Sequence, residues 1–70
     1  MIILFKTNVG DKKSAENIIK ALIGRFRVSD ANFDLEDCDQ ILRISSGDTP
    51  VDPHGIISLV RNYGYSARLL

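Results

Sequence analysis

The spacing of apolar residues changes repeatedly along this chain, and each change marks a new element. Ile2-Ile3-Leu4-Phe5 is an unbroken apolar run rich in β-formers that continues through Lys6 and Thr7 to a turn at Asn8-Val9-Gly10. A run apolar on both sides suits a central strand, β1 (residues 2–7). From Asp11 the period becomes helical. Ala15, Ile18, Ile19, Leu22 and Ile23 recur at the spacing of one helix face, while Lys13, Glu16, Asn17 and Lys20 fill the other. This predicts α1, with Asp11 as N-cap, Gly24 as its stop, and Glu16 and Lys20 as a favourable i,i+4 pair. Residues 28–35 alternate, with Ala31, Phe33 and Leu35 on one side and Asp30, Asn32 and Asp34 on the other, as in a half-buried strand, β2. The polar stretch Glu36-Asp37-Cys38-Asp39 then predicts a tight hairpin into β3 (residues 41–44), with Leu42 and Ile44 facing the core. Asp52-Pro53 reads as N-cap and first position of α2, whose apolar side is Ile56, Ile57, Leu59, Val60 and Tyr63 until Gly64 ends it. Residues 65–70 supply a last strand, β4.

The order βαββαβ, without repeats or linkers, predicts one domain over residues 1–70, with a single sheet covered by two helices on one face. Right-handed crossovers place the strands in the order 4-1-3-2, a four-stranded antiparallel sheet of the α+β, ferredoxin-like kind. The β1–α1 loop, the β2–β3 hairpin and the α2–β4 loop then emerge at the same end.

Composition narrows the function classes. Hydrophobic residues at 44% and charged residues at 26% belong to a chain that folds alone. Nine basic against nine acidic residues leave no net field for a phosphate backbone, so no nucleic acid is expected as partner. The single cysteine, Cys38, cannot make an internal disulfide, which points to a reducing, cytoplasmic setting. The apolar start runs straight into Lys6 without the features of a signal peptide, and no run approaches the ~20 apolar residues of a membrane-spanning helix. A soluble protein without membrane insertion is expected.

Several segments together resemble the heavy-metal-associated domain family. Val9-Gly10-Asp11-Lys12-Lys13-Ser14-Ala15 stands where that family carries Met-x-Cys-x-x-Cys-Ala, and Ile18-x-x-Ala21-Leu22 continues its helix pattern. Phe33-Asp34-Leu35 is similar to its second strand, and Gly64-Tyr65-Ser66-Ala67 to its closing Gly-Tyr-x-Ala. The resemblance covers nearly the whole chain. It implies the scaffold and an edge used for docking partners. It also implies that the two positions which grip copper or zinc through thiolates in the family are here Asp11 and Ser14. Cu(I) selects thiolate and thioether ligands, which a carboxylate and a hydroxyl do not replace.

The candidate binding residues are therefore Asp11, Lys12, Lys13, Ser14 and Tyr65, the last because its counterpart in relatives packs beside the metal loop. Asp11 and Ser14 also read as an ordinary helix start. Lys12 and Lys13 oppose the helix dipole, which marks either a surface for an acidic partner or compensation by the acidic hairpin. Asp37, Cys38 and Asp39 are weak metal candidates, short of a full zinc set, with His54 expected at the opposite end. Flanking carboxylates should raise the Cys38 thiol pKa. No phosphate loop, nucleophile motif or carboxylate pair appears, and no cofactor is expected. The leading expectation is a non-catalytic interaction module, monomeric or weakly dimeric. A metal-handling protein using Cys38 or a dimeric site is the alternative, and a small-molecule regulatory domain a third.

Overall fold

The computed structural model describes residues 2–34, 40–47 and 50–70. The strands are β1 (Ile2–Thr7), β2 (Asp30–Asp34), β3 (Ile41–Ser45) and β4 (Ala67–Leu69), and the helices α1 (Lys12–Arg25) and α2 (Pro53–Asn62). All pairings are antiparallel, in the order β2-β3-β1-β4, as expected. The hairpin residues 36–39, with Leu35 before them, lie outside the described residues.

Cross-strand pairs share a face, and the register stacks the inner one. Ile3 pairs with Ile44 and Phe5 with Leu42, while Ala31 and Phe33 stand opposite the same two β3 residues. Against this layer the helices bury Ala15, Ile18 and Leu22 from α1 and Ile56, Leu59 and Val60 from α2. Full burial of residues such as Phe5 and Ile18 contributes about 1.5–3 kcal/mol each before entropy is counted.

Both expected N-caps form. Asp11 holds extended backbone and accepts from the Ser14 N–H, and Asp52 accepts from the His54 N–H with Pro53 opening α2. Gly64, at φ +91°, reverses the chain after α2, and its N–H donates to the Arg61 carbonyl at 2.9 Å.

Some expectations need correction. α1 runs past Gly24 to Arg25 and closes when the Phe26 N–H donates to the Leu22 carbonyl at 2.8 Å. Ile23 is 50% exposed. It lies on the Ile19 flank of α1, which packs over β2 at the sheet's edge, where among the described residues no further strand lies to receive it. Tyr63 is exposed because it is the C-cap of α2, and its backbone has already left the helix. β2 starts at Asp30 rather than Val28, and β4 at Ala67 rather than Tyr65, where the Ser66 N–H donates to the Asn8 side chain rather than to a backbone carbonyl. β1 is central, yet among the described residues only one of its faces is covered: Ile3 and Phe5 are buried, while Ile2 and Leu4 are exposed.

Candidate functional site

The end of the sheet at which β1 finishes gathers three segments held by polar contacts. Thr7 is buried, and its hydroxyl donates to the Gln40 carbonyl at 2.6 Å while accepting from the Val9 N–H at 3.3 Å. This ties the β1–α1 loop to the residue that leads into β3. Gln40 takes a positive φ of 50°, and its amide side chain lies where a Cβ on Gly10 would sit, so the loop closes over it because position 10 has no side chain. On the other flank, the Ser66 N–H donates to Asn8 Oδ1 at 2.8 Å and the Asn8 N–H to the Ser66 carbonyl at 3.4 Å. Val9 anchors the loop by complete burial.

On this frame sit the residues singled out from the sequence. Asp11 Oδ2 accepts from the Ser14 N–H at 2.8 Å, and the Tyr65 hydroxyl donates to Ser14 Oγ at 2.8 Å, joining residues 51 apart in the chain. Tyr65 therefore lies against the helix start. Lys12 and Lys13 are exposed in the first turn, which holds no acidic residue. The Asp11 carboxyl is held below its ordinary pKa, first by the backbone and hydroxyl of Ser14 and then by the Lys13 charge.

The sign of the pH dependence follows. A carboxyl whose folded pKa is depressed contributes stability that is present above its unfolded pKa and is lost as pH falls through the folded value. Asp11→Ala should lower the thermal midpoint at neutral pH, and Asp11→Asn should be mild because the amide oxygen still caps. The gap between wild type and Asp11→Ala should narrow as the pH drops below the carboxylate range, measured by thermal melts across pH. A large loss with asparagine and none with alanine would contradict capping.

Among the described residues no group of three or more His, Cys, Asp or Glu comes close enough to hold a metal ion. Asp37, Cys38 and Asp39 lie outside the described residues, and His54 is exposed at the first turn of α2. Sequence reasoning passed over Thr7, Gln40 and Ser66. Their pairings join residues far apart in the chain, and no local pattern encodes them.

Comparison with solved structures shows which fold this frame has. A copper-binding domain from HMA7, a P-type ATPase, superposes with a TM-score of 0.80 over 99% of this chain and 92% of its own. Its fold is that of a heavy-metal-associated domain. A second domain of this fold, from work on crosstalk between Cu(I) and Zn(II) homeostasis, matches with a TM-score of 0.79 over 100% of this chain and 99% of its own. Identities to these two structures are 16% and 21%, at which the likeness establishes the fold alone. No protein-family profile matches the chain. No curated protein matches it in sequence. No described helix is long and apolar enough to cross a membrane.

Proposed function

We propose that this domain is a non-catalytic, cytoplasmic interaction module on the heavy-metal-associated scaffold, docking another protein through Asp11, Lys12, Lys13, Ser14 and Tyr65. The observation that carries this reading is the 2.8 Å hydrogen bond from Tyr65 to Ser14 beside the Asp11 cap. The two oxygen side chains at the helix start are committed to the protein's own groups, and both are hard donors unsuited to Cu(I). What they leave accessible is a rigid rim with two exposed lysines, a surface suited to an acidic patch on a partner. Reversing both charges, Lys12→Glu with Lys13→Glu, should abolish such docking without unfolding the domain.

A second reading, metal handling, is favoured by the solved neighbours, one a copper-binding domain and one tied to Cu(I) and Zn(II) homeostasis. It would use Asp37, Cys38 and Asp39, or a site shared between two copies. Anaerobic titration of the reduced protein with Cu(I) and Zn(II), followed by amide shifts and sedimentation, separates the two. The interaction module should show no stoichiometric binding and unmoved amides at residues 11–14. Stoichiometric binding with shifts there would sink it, and metal-driven dimers lost in Cys38→Ser would establish metal handling.

A further inference from the structure

Among the described residues both edges of the sheet, β2 and β4, lack a further strand, and their chemistry is complementary. Backbone groups in an antiparallel ladder face alternate sides. The Leu70 N–H donates to the Leu4 carbonyl at 3.0 Å, so Leu70 and Arg68 turn their backbone toward β1, and Ala67 and Leu69 turn theirs outward. Carried across β1 and β3, the same alternation turns Asn32 and Asp34 toward β3 and leaves Ala31 and Phe33 facing the other edge. The Ala31 N–H is already taken by Asp30 Oδ1 at 3.0 Å, which leaves Phe33 as the place where a new strand can bond β2.

Side chains at the two edges match. On the helix side a groove of about 380 Å³ runs between α1 and β2, with Ala15, Ile19 and Phe33 along it. Leu69 stands opposite buried Phe5 and so belongs to the same side, yet at the far edge it is 51% exposed. On the outer side β2 presents Asp34 and β4 presents Arg68, both exposed. Neither takes an ion-pair partner among the described residues.

We propose that copies of this chain join edge to edge, β4 of one beside β2 of the next, so that one antiparallel sheet runs through both. The register fixes the fit. Asp34 stands opposite Ile41, Ile41 opposite Lys6, and Lys6 opposite Arg68, so the two charges lie at one level on opposite edges. A copy shifted sideways by the width of the sheet, without slipping along the strands, brings its Asp34 directly beside Arg68. The same placement sets Leu69 opposite the second copy's Phe33 at the groove, and these two residues carry the outward backbone groups that exchange N–H···O bonds. Strand direction agrees, since β2 and β1 run one way and β3 and β4 the other.

Like edges do not fit each other. β2 against β2 gathers Asp30 and Asp34 of both copies, and β4 against β4 gathers arginines, whereas β4 against β2 joins opposite charges. Charges on edge strands ordinarily keep other strands away, and here each edge repels its own kind and accepts the other. An unrelated strand would need a cation next to an apolar residue at this same offset, which β4 already carries. The contact is heterologous, so it does not close at two copies, and with a β4 of 3 residues it is weak and reversible.

Sedimentation velocity and amide shifts over a concentration series of the whole chain test this. The expected result is a mean mass that climbs steadily with concentration and falls with salt, with shifts at residues 31–34 and 67–70. Asp34→Arg or Arg68→Asp alone should raise the apparent dissociation constant by about tenfold or more, because each sets like charges side by side. Mixed in equal amounts, the two single variants should associate again, since arginines of one then meet aspartates of the other at both edges. Leu69→Asp should abolish association by placing a carboxylate against the groove, while the exposed position leaves the fold intact. A chain monomeric at ~1 mM, the weak end of the affinity range, would overturn the proposal. So would association indifferent to either single reversal, or a mixture of the two variants that stays monomeric.

Discussion

Leu22→Ala is expected to lower the unfolding free energy by ~2–5 kcal/mol, the cost of lost burial plus the cavity left behind. Leu22 is fully buried on the sheet-facing stripe of α1 with Ala15 and Ile18, and its carbonyl also accepts the Phe26 N–H that closes the helix. Domains are stabilised by roughly 0.05–0.15 kcal/mol per residue, about 4–10 kcal/mol for a chain of this length, so the loss is comparable to the whole stability. Chemical denaturation should show a midpoint collapsing toward zero denaturant. The neighbouring substitution Ile23→Ala should change stability by about 0.5 kcal/mol or less, because that side chain is half exposed. Equal losses at both positions would mean that α1 presents a different face to the sheet.

The second large effect is a gain. Asp11→Cys combined with Ser14→Cys should give a chain that binds a single Cu(I), where the proposed interaction module is expected to bind none stoichiometrically. The resemblance to heavy-metal-associated domains puts the family's two thiolates at these positions, and soft thiolates select Cu(I) where oxygen ligands do not. The geometry favours the pair, since the Asp11 side chain already reaches the Ser14 N–H at 2.8 Å across the first turn of α1. The double variant loses the aspartate cap and the Tyr65–Ser14 hydrogen bond, so its apo form should melt below wild type and recover on metal addition. An anaerobic competition titration against a Cu(I) chelator measures this. Absence of binding in a folded double variant would show that this loop does not correspond to the family's metal loop.

The architecture was legible where one local signal agreed with another. Asp11 and Asp52 announce helix starts that form as read, and Ala31, Phe33, Leu42 and Ile44 alternate as the register requires. The errors share a cause, which is that periodicity reports which residues are apolar and not what covers them. Ile2 and Leu4 read as buried on a central strand, yet among the described residues no layer lies on their side, and Ile23 continues a stripe past the sheet's edge. Of the candidate site, Asp11, Ser14 and Tyr65 were found through the family resemblance, and the Tyr65–Ser14 contact brings two of them together. Thr7 and Gln40 were invisible because their bond joins positions 33 apart in the chain.

The place of β1 in the sheet has a consequence for how the molecule is made. Of the four strands of this sheet, the one synthesised first, β1, lies between β3 and β4, pairing Ile3 with Ile44 and Thr7 with Ala67. At ~5–20 residues per second on the ribosome, Ile3 and Phe5 wait seconds for both partners, while a hairpin such as β2–β3 can close within about 1–10 μs of emerging. During that interval the nascent chain exposes its most hydrophobic strand with both edges unpaired, the state most open to chaperones and to aggregation. The wait ends only when Tyr65 and β4 arrive, so the surface around Ser14 is assembled last and is present only on chains translated through the final strand.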